Sequence, residues 1–438
     1  MRHGRLRTLG ALCVLAGSLC AACRASPPAP PEKVTAVDAA AADADVTNYQ
    51  LRALEARVQA MPEGTERDYF GGWLAVRSGR FDEGIAQLTR AVPRLRESAP
   101  ARAALALEAL ATASLAISHY GEAAQAYEDL SAHFADHLDP FPANDAALAH
   151  LLSGTPPPTI TWLGPVRLKT SINPIGSRVA ELTVNGAREQ WLLDTGANLS
   201  LVTRSFAERL GLQPLPGVVD VGSGLTGFQS SMQMAVLPAL ALGGATLQHV
   251  AVGILDDRNL RVGPSGADAY QIHAILGYPA LRALGAFTFT RDGEFRAGDA
   301  ERPTSGTRIY MRGLAPAIEC EVAGRPLLFT FDTGASSTDL SVRYYELFKH
   351  ESGAWKQEAA ETGGAGGTLT QTIYRQPTVV MKVGPATVTL NDVSILSARR
   401  KAAIDILFGN LGQDFVEGFE SFSMDLSSMI FSVAPRRQ

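Results

Sequence analysis

The chain changes its hydrophobic period once. Over residues 46–152 apolar positions recur at three- and four-residue steps, as in "YFGGWLAVRSGRFDEGIAQLTRAVPRL" (69–95) and "ALEALATASLAISHYGEAAQAYEDLSAHF" (106–134). That spacing gathers the apolar side chains into one stripe per helix. "SGTPPPTI" (153–160) ends the pattern, because proline lacks the amide that a helix interior needs. Beyond it the runs are short and strand-like: "RVAELTV", "EQWLLD", "HVAVGIL" and "AFTFTR", separated by turn residues. Asn185-Gly186 between the first two predicts a tight hairpin.

Each half contains an internal repeat. In the helical part Phe81 aligns with Tyr120, Gly84 with Ala123 and Leu88 with Tyr127, at a constant offset of 39 residues. Small residues where helices cross and aromatics where they interlock suit a stacked helical hairpin. This stretch resembles tetratricopeptide repeats with a lengthened connection. In the β part "VAELTVNGAREQWLLDTGAN" parallels "AIECEVAGRPLLFTFDTGAS", and "AILGYPALRALGAFTFTRDG" parallels "ILFGNLGQDFVEGFESFSMDL" in the same order. The expected fold is therefore multidomain. An N-terminal all-α helical-repeat domain (46–152) precedes an all-β bilobal body with pseudo-twofold symmetry. Its lobes are 155–298 and 303–435, joined through "AGDAERPTSGT" (297–307).

The first residues read as an address rather than as fold. Arg2, Arg5 and Arg7 precede the apolar run "TLGALCVLAGSLCAA", which is short for a membrane span. It ends at Cys23 behind two alanines, which resembles a bacterial lipoprotein signal (1–22) with Cys23 as the lipidated N-terminus. Cleavage by an ordinary signal peptidase is the alternative. Arg24 after the cysteine is compatible with the periplasmic face of an outer membrane. Residues 23–45, rich in Ala and Pro, read as a flexible tether. Of four cysteines only Cys23 and Cys320 would outlast the leader, so no disulfide framework is expected. The net charge of −5 does not favour nucleic acid as a partner.

One D-T-G occurs by chance in roughly one chain in ten of this length. Here D-T-G-A occurs twice, at Asp194 and Asp332. Each copy follows a strand and a hairpin turn and precedes a hydrophobic-hydrophobic-glycine element by about 80 residues. This set resembles the aspartic proteases over about 155–435, in the fused retropepsin-like form. The resemblance implies an aspartic endopeptidase in which Asp194 and Asp332 meet at the lobe boundary and share one proton over a water. It implies that Thr195 and Thr333 bond across the boundary, and that Gly196 and Gly334 let backbone amides approach the acids. By the same resemblance Ser336 and Asn198 hold the carboxylates from outside. Ile275-Leu276-Gly277 would pack beneath the first loop. Its counterpart reads as Leu407-Phe408-Gly409, with Asn410-Leu411-Gly412 as the alternative register.

Two glycine-rich stretches lie where flaps would grip an extended substrate. "VGSGLTGFQS" holds Gly222, Gly224 and Gly227, and "ETGGAGGTLT" holds Gly363, Gly364, Gly366 and Gly367. "GSGLTG" also fits a dinucleotide motif, but strands surround it where that motif needs a helix. His133 and His137 lack further ligands and read as a solvated pair. No metal or organic cofactor is implied. The expected partners are a peptide or protein substrate, a protein on the helical repeats, and a membrane through the lipid alone. The rival expectation is an inactive protease-like scaffold lipoprotein that holds peptides.

Overall fold

The computed structural model describes residues 38–436 except 139, 141, 223–228, 263–268, 300–301, 352, 354, 365–366 and 397–405. Cys23 and the leader lie outside the described residues, as do Gly224, Gly227 and Gly366. Residues Asp38–Gln438 form one compact unit.

Seven α-helices open it: α1 (Ala39–Thr47), α2 (Leu51–Ala60), α3 (Thr65–Arg77), α4 (Phe81–Ser98), α5 (Pro100–Ala116), α6 (Tyr120–Phe134) and α7 (Ala143–Leu152). Each helix from α3 to α7 packs on the one before it. In α4 the buried positions Phe81, Gly84, Leu88, Ala91, Val92 and Leu95 recur at helical steps. Gly84 lies so close under α3 that a Cβ there would overlap Val76. Phe81 and Tyr120 each begin a helix. Helix α1 begins inside the stretch expected to be tether, which shortens that expectation at its C-terminal end. Asp38 accepts from the Ala41 amide as an N-cap, and Ala42 and Val46 are buried.

The β body follows, and its two lobes repeat one pairing scheme. In the first, Arg178–Val184 turns through Asn185 (φ 50°) and Gly186 (φ 81°) into Ala187–Leu193. In the second, Ala315–Val322 turns through Ala323 (φ 49°) and Gly324 (φ 76°) into Arg325–Phe331. Both turns need two residues in the left-handed region, as a tight hairpin does. Each second strand then lies parallel to a short strand late in its lobe, with Leu193 opposite Leu276 and Phe331 opposite Leu411. Ser200–Thr203 and Asp339–Leu340 complete the motif by pairing antiparallel to those short strands.

A sheet built from both lobes lies between them. Its order is Val166–Ile172, Glu294–Ala297, Ala286–Thr290, Phe419–Asp425, Ile430–Pro435, Thr307–Arg312. Phe287, Phe289, Phe295, Phe331, Phe422 and Phe431 interlock on it, with Phe289 and Phe422 stacked at 5.1 Å across the lobe boundary. Burying aromatics of this size contributes about 2–3 kcal/mol each, so this layer holds the lobes in fixed register beneath the site.

The helical region rests on the second lobe. Arg308 pairs with Glu55 at 3.2 Å, and Arg343 donates to the Asn48 carbonyl at 3.3 Å. The turn after α3 places Gly79 against Met429. Helix α7 reaches the strand Val219–Gly222 in the first lobe.

Candidate active site

Each D-T-G loop leaves its strand at the centre of the body. The Asp194 amide donates to the Leu276 carbonyl, and the Asp332 amide to the Leu411 carbonyl, both at 3.0 Å. The chain then curls so that two amides meet each carboxylate. Gly196 N and Ala197 N donate to Asp194 Oδ1 at 2.8 and 3.1 Å. Gly334 N and Ala335 N donate to Asp332 Oδ1 at 2.9 and 3.0 Å.

The loops are braced across the lobe boundary by their threonines. Thr195 N donates to Thr333 Oγ1 at 3.0 Å, and Thr333 N donates to Thr195 Oγ1 at 3.1 Å. Each hydroxyl then donates onward, Thr195 to the Phe331 carbonyl at 2.9 Å and Thr333 to the Leu193 carbonyl at 2.6 Å. Both threonines are buried, so every one of these groups would be costly to leave unpaired.

The glycines set the approach of the two acids. A Cβ on Gly196 would stand 2.6 Å from Asp332 Oδ1, and one on Gly334 would stand 2.5 Å from Asp194 Cγ. Each loop thus presents bare backbone to the carboxyl of the other lobe. The two carboxyls thus face each other across the lobe boundary. Burial, and then the negative charge of Asp332, hold Asp194 well above the ordinary carboxylate range; the Gly196 and Ala197 amides pull the other way. Two acids this close keep one proton between them. Both residues are half-buried.

The short late strands support the loops from below. Gly277 N donates to Ser200 Oγ at 3.0 Å, and Gly412 N to Thr338 Oγ1 at 3.2 Å. A Cβ on Gly277 would overlap the backbone of Leu199 and Ala197, and one on Gly412 the backbone of Ser337 and Ala335. Gly412 therefore answers to Gly277, and the triplet Asn410-Leu411-Gly412 is the true counterpart of Ile275-Leu276-Gly277. The expectation for Leu407-Phe408-Gly409 is corrected: it rested on hydrophobicity, whereas the amide of Asp332 selects Leu411. Gly409 instead lies against the Asp339 carbonyl.

Asn198 and Ser336 do not hold the carboxylates. Both are exposed, and among the described residues neither is bonded to Asp194 or Asp332. Four residues past each aspartate the chain has already turned away. Ser336 packs instead against Gly176 of the first lobe. Of the flap glycines, Gly222 ends a strand opposite Gln229, and Gly363, Gly364 and Gly367 lie in the hairpin strands Lys356–Gly364 and Gly367–Val383.

Four residues at the site have roles that the sequence did not assign them. Asn410 Nδ2 donates to Asp332 Oδ2 at 3.0 Å. Gln413 Nε2 donates to the Thr333 carbonyl at 2.6 Å. Ser177 Oγ donates to the Gly334 carbonyl at 2.7 Å, which ties the first lobe to the second loop. Burial lowers the proton affinity of Arg312, whose guanidinium is within electrostatic reach of Tyr49 and Arg77 of the helical region and of Asp332. A hydroxyl six residues after each aspartate, Ser200 and Thr338, was the one readable signal for the support below.

Residues 180–280 match the family model for aspartyl proteases. The match takes in the Asp194 loop, the strand Val219–Gly222 and Gly277, and stops before the second loop. No curated protein matches the chain. Within the β body that follows the helical region, residues 180–280 are thus similar to aspartyl proteases.

Proposed function

We propose that this protein is an aspartic endopeptidase whose two catalytic carboxyls, Asp194 and Asp332, come from one chain. The observation that carries the reading is the pair of acids set against each other on cross-braced D-T-G loops. One carboxylate takes a proton from a water held between them. The hydroxide so formed adds to the scissile carbonyl carbon while the other carboxyl protonates the carbonyl oxygen. The tetrahedral diol then collapses: its amide nitrogen leaves with a proton, the carbonyl re-forms, and the pair again holds one proton. The chain's own groups suffice for these steps.

Extended substrate would lie beneath the hairpins whose strands carry Gly222 and, in the second lobe, Gly363, Gly364 and Gly367. The export reading belongs to the same proposal. Cys23 would carry the lipid, and the enzyme would face the periplasm at the outer membrane. The helical region, by its contacts with the second lobe, is a fixed part of the enzyme that can also receive a protein partner.

Proteome-derived peptides incubated in water enriched in heavy oxygen test the chemistry. Each new C-terminus should hold one label from the first turnover, with no covalent peptidyl-enzyme. A trapped acyl-enzyme would contradict it. Absence of cleavage from acidic to neutral pH would favour a peptide-holding scaffold. Mass analysis of the mature N-terminus, with Cys23→Ser as control, tests the anchor.

A further inference from the structure

The register that sets Asn410 opposite Thr330 also gives the two lobes different neighbours for their acids. Ile275 occupies the matching place in the first lobe, opposite Leu192 and Leu201, and it is buried. It offers Asp194 no polar atom. Asn410, by contrast, donates Nδ2–H to Asp332 Oδ2 at 3.0 Å.

The remaining donors are matched. Each Oδ1 receives two amides, at 2.8 and 3.1 Å in one lobe and 2.9 and 3.0 Å in the other. Among the described residues, Asn410 is therefore the neutral donor by which the two sides differ. An oxygen that faces an N–H is stabilised as an anion, and a proton placed on it would meet that N–H head-on. Arg312, at the end of the strand Thr307–Arg312, lies within electrostatic reach of Asp332. From the facing loop, the acid of the other lobe is the charge that acts on Asp194.

Resting on the two-aspartate reading of this site, we propose that Asn410 is a positioning residue that fixes the shared proton on Asp194. Asp332 is then the base that takes the proton from water, and Asp194 is the acid that protonates the carbonyl oxygen. On collapse Asp332 gives its proton to the leaving nitrogen and a diol hydroxyl gives its own to Asp194 as the carbonyl re-forms, so the assignment resets each turnover.

The test is carboxyl-carbon NMR of the full chain with labelled aspartate. In the wild type, the carboxyl of the pair that keeps its proton should be the one missing from Asp194→Asn. In Asn410→Ile, which copies the first lobe, and in the smaller Asn410→Ala, the two carbons should become more alike. In these variants the acid limb of kcat/KM should move up by about one pH unit, as loss of one hydrogen bond to a charged group implies, with KM little changed. A wild type whose retained proton belongs to Asp332 overturns the proposal. So do Asn410 variants that fold and leave both carbons where they were. A chain that cleaves no peptide defeats the hydrolase reading alone, because the spectra still locate the proton.

Discussion

Thr195 and Thr333 each use the other's amide and hydroxyl, so neither D-T-G loop is complete without its partner. Thr195→Val would strand the Thr333 amide and the Phe331 carbonyl, both in the interior. Each buried group left without a partner costs about 1–3 kcal/mol. We expect a loss of roughly 2–5 kcal/mol by urea denaturation, with Thr195→Ser recovering most of it. A threonine-to-valine change within about 0.5 kcal/mol of wild type would show that the braces carry no weight.

Gly196 and Gly334 are needed for reach rather than for backbone freedom, since each abuts the opposing carboxyl. Gly334→Ala must push Asp194 aside or open the lobe boundary. Misplacement of a reacting group by about 1 Å costs on the order of a hundredfold in rate. We expect that loss in kcat with the fold retained by circular dichroism. Unchanged turnover would mean that the carboxyls are not held at this separation.

The acid pair also makes stability depend on pH. Burial and the charge of Asp332 raise the proton affinity of Asp194 in the folded chain. The folded state thus binds this proton more tightly than the unfolded state. The associated stability is full below the unfolded carboxylate value of about 3.9 and is lost as pH rises through the folded value. Asp194→Asn removes that loss, while its side-chain oxygen can still accept from Gly196 and Ala197. Its urea midpoint, relative to wild type, should rise between pH 4 and pH 7. A gap that does not widen would contradict the raised acid.

Much of this site was legible because it is duplicated. Two D-T-G-A loops at matched distances from two Asx- or Ala-Gly hairpins placed both acids and both threonines without any coordinates. What was missed depends on which atoms the fold brings together. The pattern of apolar letters favoured Leu407-Phe408-Gly409, but a hydrogen bond from the Asp332 amide to the Leu411 carbonyl sets the register three residues later. That shift turns Asn410 from a turn-like polar letter into a donor on Asp332. Ser336 looked like a carboxylate donor because of its chain position, and the curl of the loop faces it elsewhere. Helix α1 was hidden in an alanine-rich stretch with almost no amphipathic signal, and its burial against α2 and α3 decides it. The interlobe donor Ser177 has no sequence signal, since its partner lies in the other lobe.

The helical region should unfold together with the second lobe. Gly79 has φ of 71°, and a Cβ there would lie 2.6 Å from the Met429 sulfur. The left-handed conformation alone costs an alanine about 1–2 kcal/mol, and displacement of the thioether adds to it. For Gly79→Ala, thermal melts followed by helical circular dichroism and by tryptophan fluorescence should shift down together. A shift confined to the helical signal would mean that the two parts melt independently.

Hydrolysis by a carboxyl from each lobe stands or falls on kcat/KM for one cleaved peptide, measured with wild type, Asp194→Asn and Asp332→Asn at equal folded concentration. Each single change should lower it by about a thousandfold or more, the scale on which a positioned acid or base contributes. Either variant retaining activity within about tenfold of wild type would show that bond cleavage does not run through the pair.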